Sequence, residues 1–214
     1  MKYLAIDTSG EHLFVAVRAG EKLQTRYLQN CLTKHSLTLL PETENALSAA
    51  GCELKDLDFI AAVSGPGSFT GIRIGVSTAK ALCYSLNKPA LNVTSFDVLA
   101  YNDKASDKLL CLIDAKHDNF YAQTITRIRN KNGEIIKTLK SPAEFICKND
   151  ILNGFSGHKI ISDVNIDGIN SLVADIPAGV VAAADDECGG LIDYNSLVPL
   201  YVKRSQAEEE AACK

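Results

Sequence analysis

The sequence predicts a two-domain α/β protein in which one β-β-β-α-β-α pattern occurs twice, the second copy trimmed. Three observations point there. Two apolar strands each end in an aspartate, Leu4-Ala5-Ile6-Asp7 and Cys111-Leu112-Ile113-Asp114, and a second strand begins six residues after each aspartate, at Leu13 and at Phe120. Each second strand leads through a glycine turn, Ala19-Gly20-Glu21 or Asn132-Gly133-Glu134, into a third. Between the copies lies the polar run Asn102 to Lys108, which marks a boundary. We place the domains at residues 1–103 and 104–214, with the terminal segment packing back on the first.

The remaining elements follow in order. In the first copy the third strand covers Gln24 to Leu28, and a helix spans Ser36 to Ala50 with leucines at 37, 40 and 47 and Gly51 as its stop. Pro41 sits inside that pattern, so the helix either kinks there or starts later than Ser36. A fourth strand covers Phe59 to Ser64. A second helix runs from Phe69 to Leu86 and stops at Asn87-Lys88-Pro89, and a fifth strand covers Ala90 to Thr94. In the second copy the third strand covers Ile135 to Leu139, and Ser141-Pro142-Ala143-Glu144 has the form of a capping box, which predicts a helix start. After Ser162 the pattern fades into a polar loop, Asp163 to Gly168.

Composition restricts the function classes. Of 214 residues, 46% are hydrophobic and 22% charged, enough apolar matter for a core. The net charge of −4 argues against a chain that grips nucleic acid unaided. The short basic clusters, Arg127-Ile128-Arg129-Asn130-Lys131 and Lys203-Arg204, read as a solvated turn and a tail. Seven cysteines form no C-x-x-C pair, and several lie in apolar runs, as thiols do in a reducing compartment. With no signal-peptide pattern and no apolar run approaching 18 residues, a cytoplasmic protein without a membrane span is expected.

The densest motif is Gly65-Pro66-Gly67-Ser68-Phe69-Thr70-Gly71-Ile72-Arg73, between a strand and a helix. That is where backbone amides can cradle a phosphate. The P-loop spacing fails, because no lysine follows the second glycine, and the dinucleotide fingerprint fails, because its third glycine slot holds Thr70. Along the helix, Gly71, Gly75, Ala79 and Cys83 make a ridge of small side chains, and only Arg73 and Lys80 are charged. Either neighbours within the fold cover that helix or a partner subunit does; we take the partner as the expectation.

Asp7-Thr8-Ser9-Gly10 is the other candidate. An aspartate at a strand's carboxyl end can hold a metal-bound water beside phosphates, or it can satisfy its own turn. The histidines His12, His35, His117 and His158 are isolated, and no H-x-x-x-H pair starts at His35 because Leu39 occupies the fifth place. His35 reads as a helix-start or interface residue. No nucleophile elbow is present, so no catalytic nucleophile is expected.

Together, Leu4-Ala5-Ile6-Asp7-Thr8-Ser9, His35 ahead of Leu39-Leu40-Pro41, the glycine-rich motif through Gly75, Asp114-Ala115 and the late Pro199-Leu200-Tyr201-Val202-Lys203 resemble the TsaB family, bacterial accessory proteins of threonylcarbamoyladenosine tRNA modification. The resemblance is dense over residues 1–100 and sparse but collinear to about 204. It implies a fold of the actin, sugar kinase and Hsp70 ATPase type. It also implies a non-catalytic partner of the catalytic paralogue TsaD, helping to recruit the ATPase TsaE. That complex transfers a threonylcarbamoyl group from an adenylate to an adenosine beside the tRNA anticodon.

By the same resemblance the partner interface comprises His35, Leu39, Leu40, Thr70, Gly71, Arg73, Ile74, Gly75, Thr78, Ala79 and Leu82. The chain alone would bind no metal or cofactor and could form a homodimer. ATP or ADP and Mg would belong to the assembled complex, with Asp7, Thr8 and Ser9 nearest the nucleotide, and tRNA would be met only through the complex. Two departures stand out: Ala115-Lys116-His117-Asp118 replaces the superfamily's glycine-rich phosphate hairpin, and Ser162 to Leu197 is shorter and more acidic than the family pattern. Two rival readings remain, a phosphotransferase using Asp7 and Asp114 around Mg-ATP and a metallopeptidase.

Overall fold

The structure, a computed structural model, describes residues 1–31 and 34–203. Arg204, named above, and Cys213, the last of the seven cysteines, lie outside those residues. In the first half a meander of β1 (Lys2–Asp7), β2 (Leu13–Ala19) and β3 (Lys22–Leu28) is followed by α1 (His35–Ala50), β4 (Phe59–Val63), α2 (Phe69–Leu86), β5 (Ala90–Val93) and α3 (Ser95–Ala100). The second half begins with β6 (Lys108–Asp114), β7 (Asn119–Arg129), β8 (Ile135–Lys140), β9 (Glu144–Cys147) and α4 (Lys148–Gly154). It continues with β10 (Lys159–Ser162), β11 (Leu172–Val173), α5 (Ile176–Asp185) and β12 (Leu191–Ile192). The two sheets run β12-β5-β4-β1-β2-β3 and β11-β10-β6-β7-β8, so one strand order is built twice.

The strands of the first sheet are apolar on both faces because both are covered. Leu4, Ile6, Val15 and Ile60 face α1 and α2, packing on Leu39, Ala46, Ile72 and Val76. Tyr3, Phe14, Ala16 and Phe59 face the other way, onto Val180, Ala183 and Ala184 of α5. The second half of the chain therefore lends its last helix to the first sheet, and β12 pairs antiparallel with β5 at the sheet edge. The trim is local: where α2 stands in the first half, the second has only the loop between β10 and β11.

Several expectations are corrected. α1 starts at His35 and runs through Pro41, so the later start is excluded. Its buried stripe is Leu39, Thr43, Ala46, Leu47 and Ala50, while Leu37 and Leu40 point outward. Ser141-Pro142 does not open a helix. It interrupts one long edge strand: β8 pairs with Ile125 to Arg129 of β7, and β9 with Asn119 to Ala122. At the break the Ser141 hydroxyl accepts from the Thr124 amide at 3.0 Å, which occupies the side chain that would have capped a helix. Proline, lacking an N–H, falls where the ladder is broken.

The run from Arg127 is not a solvated turn throughout. Arg127 is buried, its guanidinium donating to the carbonyls of Ala100, Asp103 and Ser106, while Arg129 donates to those of Lys104 and Ala105. Two arginines thus fix the linker between the halves. The six described cysteines are free thiols, four of them buried.

α2 is bounded as its sequence dictates. Ser68 caps its first turn by accepting from the Gly71 amide at 3.2 Å, and Asn87 ends it in the left-handed conformation. The small-residue ridge faces inward, not outward. A Cβ on Gly71 would stand 2.0 Å from the Thr8 carbonyl oxygen, and one on Gly75 would stand 2.4 Å from the Thr8 hydroxyl. Gly71→Ala is therefore expected to lower stability by about 2–3 kcal/mol. A thermal midpoint equal to that of the parent chain would contradict this packing.

Candidate functional site

Two places gather functional side chains: the cleft between the halves and the outer face of α1 and α2. The cleft, of about 940 Å³, lies where strands from both sheets end. β1 delivers Asp7, β6 delivers Asp114, and Asp163 follows β10. In a doubly covered α/β sheet this end is where ligands are ordinarily taken.

Asp7 is fully committed to its own hairpin. One carboxylate oxygen accepts from the Ser9 amide at 2.8 Å and the other lies 3.0 Å from His12 Nε2. Burial works against charge on both groups, yet the pair wins: Asp7 is held below and His12 above its usual value. Thr8, placed by the sequence near a nucleotide, is buried and donates to the Gly71 carbonyl at 2.7 Å. The Ser9 hydroxyl meets Ser95. Thr8 thus turns into the fold, while Ser9 and Gly10 line the cleft.

The opposite hairpin is also self-satisfied. Asp114 accepts from the Lys116 amide at 2.8 Å, and Lys116 Nζ sits 3.1 Å from Asp114 and 3.3 Å, across the cleft mouth, from Glu11. Lys116, His117 and Asp118 all have positive φ, at 67°, 55° and 58°, which non-glycine residues rarely adopt in succession. Burial pushes Asp163 up to about 6, with the neighbouring Asp114 charge adding to it. A nucleoside polyphosphate does not fit these residues. The amides of Ser9, Ala115, Lys116 and Asn119 already donate within their own hairpins, and Glu11, Asp114 and Asp163 put negative charge where phosphates would lie. Among the described residues no group of three or more His, Cys, Asp or Glu is placed to hold a metal ion.

The second place is a shallow groove of about 490 Å³ along α1 and α2, lined by Leu40, Thr70, Arg73, Ile74 and Thr78 among others. Of the eleven residues expected at an interface, five lie inside the fold. His35 is buried, with Nε2 3.0 Å from the His12 carbonyl and Nδ1 unpartnered, and burial lowers its pKa. Leu39 and Ala79 belong to the core, and Gly71 and Gly75 to the contact with Thr8. Ile74, Thr78 and Leu82 are half-buried, while Leu40, Thr70 and Arg73 are exposed. Sequence reading missed Leu37 and Tyr84, which are 75% and 72% exposed. The signal for Leu37 was available, since it lies off the stripe that Leu39, Thr43 and Ala46 make at helical spacing.

The family model described as TsaD, tRNA N6-adenosine threonylcarbamoyltransferase, matches residues 29–160. The Bacillus subtilis protein named tRNA threonylcarbamoyladenosine biosynthesis protein TsaB is 35% identical over 122 residues, 56% of this chain and 53% of that protein. The Haemophilus influenzae protein of the same name is 30% identical over 150 residues, 67% of this chain and 63% of its own length. The chain belongs to the TsaD family, on its TsaB branch. It spans between about half and two thirds of the length of these curated TsaB relatives. The solved structure titled "YeaZ from Pseudomonas aeruginosa" superposes with a TM-score of 0.74 at 23% identity, over 94% of this chain and 99% of that one. The fold is thus the actin-like ATPase type that the TsaB resemblance implied. No helix among the described residues is long and apolar enough to cross a membrane.

One consequence for this TsaB-type cleft is measurable. A carboxyl whose folded pKa is about 6 rather than 3.8 loses native stability as pH rises between those values, because the unfolded chain ionises first. Asp163→Asn keeps an oxygen for the Asp114 amide, which bonds Asp163 at 2.9 Å. At neutral pH the variant is expected to be more stable than the parent by about 1–3 kcal/mol, with the difference vanishing near about pH 4. Equal unfolding curves at both pH values would contradict the desolvation of Asp163.

Proposed function

We propose that the chain is an accessory subunit in tRNA threonylcarbamoyladenosine biosynthesis, docking a TsaD-like catalytic paralogue through the outer face of α1 and α2. The observation that carries this reading is the pair of adjacent helices with large apolar side chains turned outward, Leu37, Leu40 and Tyr84, flanking a groove that contains Ile74. An exposed apolar patch on a chain with a complete core marks an interaction surface. The family match extends over α1, α2 and the strands between them, so a TsaD-like paralogue would carry equivalent helices. Two related faces of that kind can pack around an approximate two-fold axis. Without the paralogue, a second copy of this chain takes the same face as a homodimer.

In this reading ATP and Mg, the ATPase TsaE and tRNA all belong to the assembled complex. The cleft supports that division, since its charged groups are engaged with one another. The net charge of −4 supports it too, because the main tRNA grip would then lie elsewhere. The rival phosphotransferase reading requires Mg-ATP binding by the chain alone. Calorimetry with Mg-ATP is expected to give no binding heat, and a saturable isotherm would revive that reading.

Leu40 is 52% exposed and touches the core little, so Leu40→Glu should leave the fold intact. It is expected to weaken binding to the purified TsaD-like paralogue of the same organism by more than about tenfold, as a charge at a desolvated apolar contact does. Co-elution at parental affinity would sink the proposed surface.

A further inference from the structure

The charges that make the cleft unsuited to a polyphosphate suit a cation. Around its volume of about 940 Å³ stand the carboxylates of Glu11, Asp114, Asp163 and Asp175, with Lys116 as their counter-charge, while His12 is cancelled by Asp7. Lys116 is shared between Glu11 and Asp114, and Asp175 caps α5 by accepting from the Ala178 amide at 3.0 Å. Asp163 has no such partner. Its Oδ1 accepts from the Asp114 amide at 2.9 Å, and Oδ2 makes no hydrogen bond or ion pair with another described residue. Burial pushes this carboxyl up to about 6, so it lies well out of water. Adjoining the cleft is a recess of about 30 Å³, and Ser9, His12, Ile113 and Asp163 border both spaces. A recess of that size takes a group about as large as one water molecule. The cleft wall beyond it is apolar, formed by Ile113, Val164, Val173 and Ile176.

We propose that the cleft binds a small organic amine, its ammonium in the recess beside Asp163 and its apolar body against Ile113, Val164, Val173 and Ile176. An ammonium is close to water in size, and Asp163 Oδ2 and the Ser9 hydroxyl supply oxygens for its protons. A carboxylate held away from water gains strongly from a hydrogen-bonded cation, because charge-assisted bonds strengthen where water is scarce. Binding therefore offsets the destabilisation that an unpartnered Asp163 imposes on the folded chain. A carboxylate or phosphate ligand meets the opposite field. The apolar wall distinguishes an organic amine from a bare cation, since it buries a hydrocarbon body and offers an inorganic ion nothing. Among the described residues no three metal-ligating groups converge, which also disfavours a metal ion. This site is independent of the docking face on α1 and α2, and failure of either reading leaves the other standing.

The test is calorimetry and thermal unfolding of the full chain at neutral pH with four probes. Phenethylamine carries the ammonium on an apolar body; phenethyl alcohol keeps the body without the charge; hydrocinnamate reverses the charge; ammonium chloride supplies the head alone. Phenethylamine is expected to bind saturably and to raise the thermal midpoint. The other three are expected to bind at least about tenfold more weakly, the scale of one charge-assisted hydrogen bond or of the lost apolar contact. Asp163→Asn keeps the shape of the site and is expected to lose about tenfold or more in phenethylamine affinity, with binding of the alcohol unchanged. Four results would each overturn the proposal. Equal affinity for amine and alcohol would make the cleft a plain apolar pocket, and an equal effect of ammonium chloride would make it a bare cation site. Parental amine affinity in Asp163→Asn would place the amine elsewhere, and the absence of saturable amine binding would leave the cleft without this ligand. Should Asp163→Asn fail to fold, the four probes on the parent chain decide alone.

Discussion

The contact between the β1–β2 hairpin and the start of α2 sets the geometry of everything around it. Thr8 donates its hydroxyl to the Gly71 carbonyl, and three glycines, at 67, 71 and 75, take positions where a Cβ would collide with Ser9 or Thr8. No other residue type allows a helix backbone so near a hairpin. Once α2 is drawn down on that side, its rotation is fixed. Gly71, Gly75, Ala79 and Cys83 must face the sheet, and Arg73, Ser77 and Tyr84 must face out. The glycine-rich segment thus works at one remove from the surface it serves. It seats the helix, and the residues between the glycines form the face.

The same hairpin explains why the cleft and the helix face take different parts. Asp7 and His12 neutralise each other within it, and across the mouth Glu11 meets Lys116. At the cleft, amides and charged side chains of the two hairpins are engaged with one another. The exposed pairs contribute little to stability. Their chemical consequence matters more, since each satisfied donor is one fewer for a ligand. Leu37 and Leu40 on α1 and Tyr84 on α2, which meets Tyr194 edge-on, stay largely exposed, which is why the functional reading rests there.

Much of the fold was legible because its determinants are local. Strands ending in Asp7 and Asp114, the glycine turns, the stop at Gly51 and the span Phe69 to Leu86 all follow from period, capping and turn chemistry. Ser141-Pro142 was misread because a capping pattern describes what a side chain can do. Here β7, eleven residues long, offered that serine a strand partner instead. The helices α3 and α5 went unread although Thr94 with Asp97, and Asp175 with Pro177, are recognisable starts. The site was legible only in part. Sequence spacing located a smooth ridge but could not say which way it faced, because a close approach suits an interior contact as well as a partner. Tyr84 emerges only once that direction is known, whereas Leu37 was legible from its place off the buried stripe of α1.

Docking as proposed puts partner contact on α1 and α2 and not on the cleft. Hydrogen exchange of the full chain with and without the purified TsaD-like paralogue tests it most directly, because it reports both places at once. Docking there is expected to add protection across residues 36–44 and 70–84 and to leave the hairpins at 8–12 and 114–118 unchanged. Protection confined to those hairpins, with both helices exchanging as in the free chain, would contradict it.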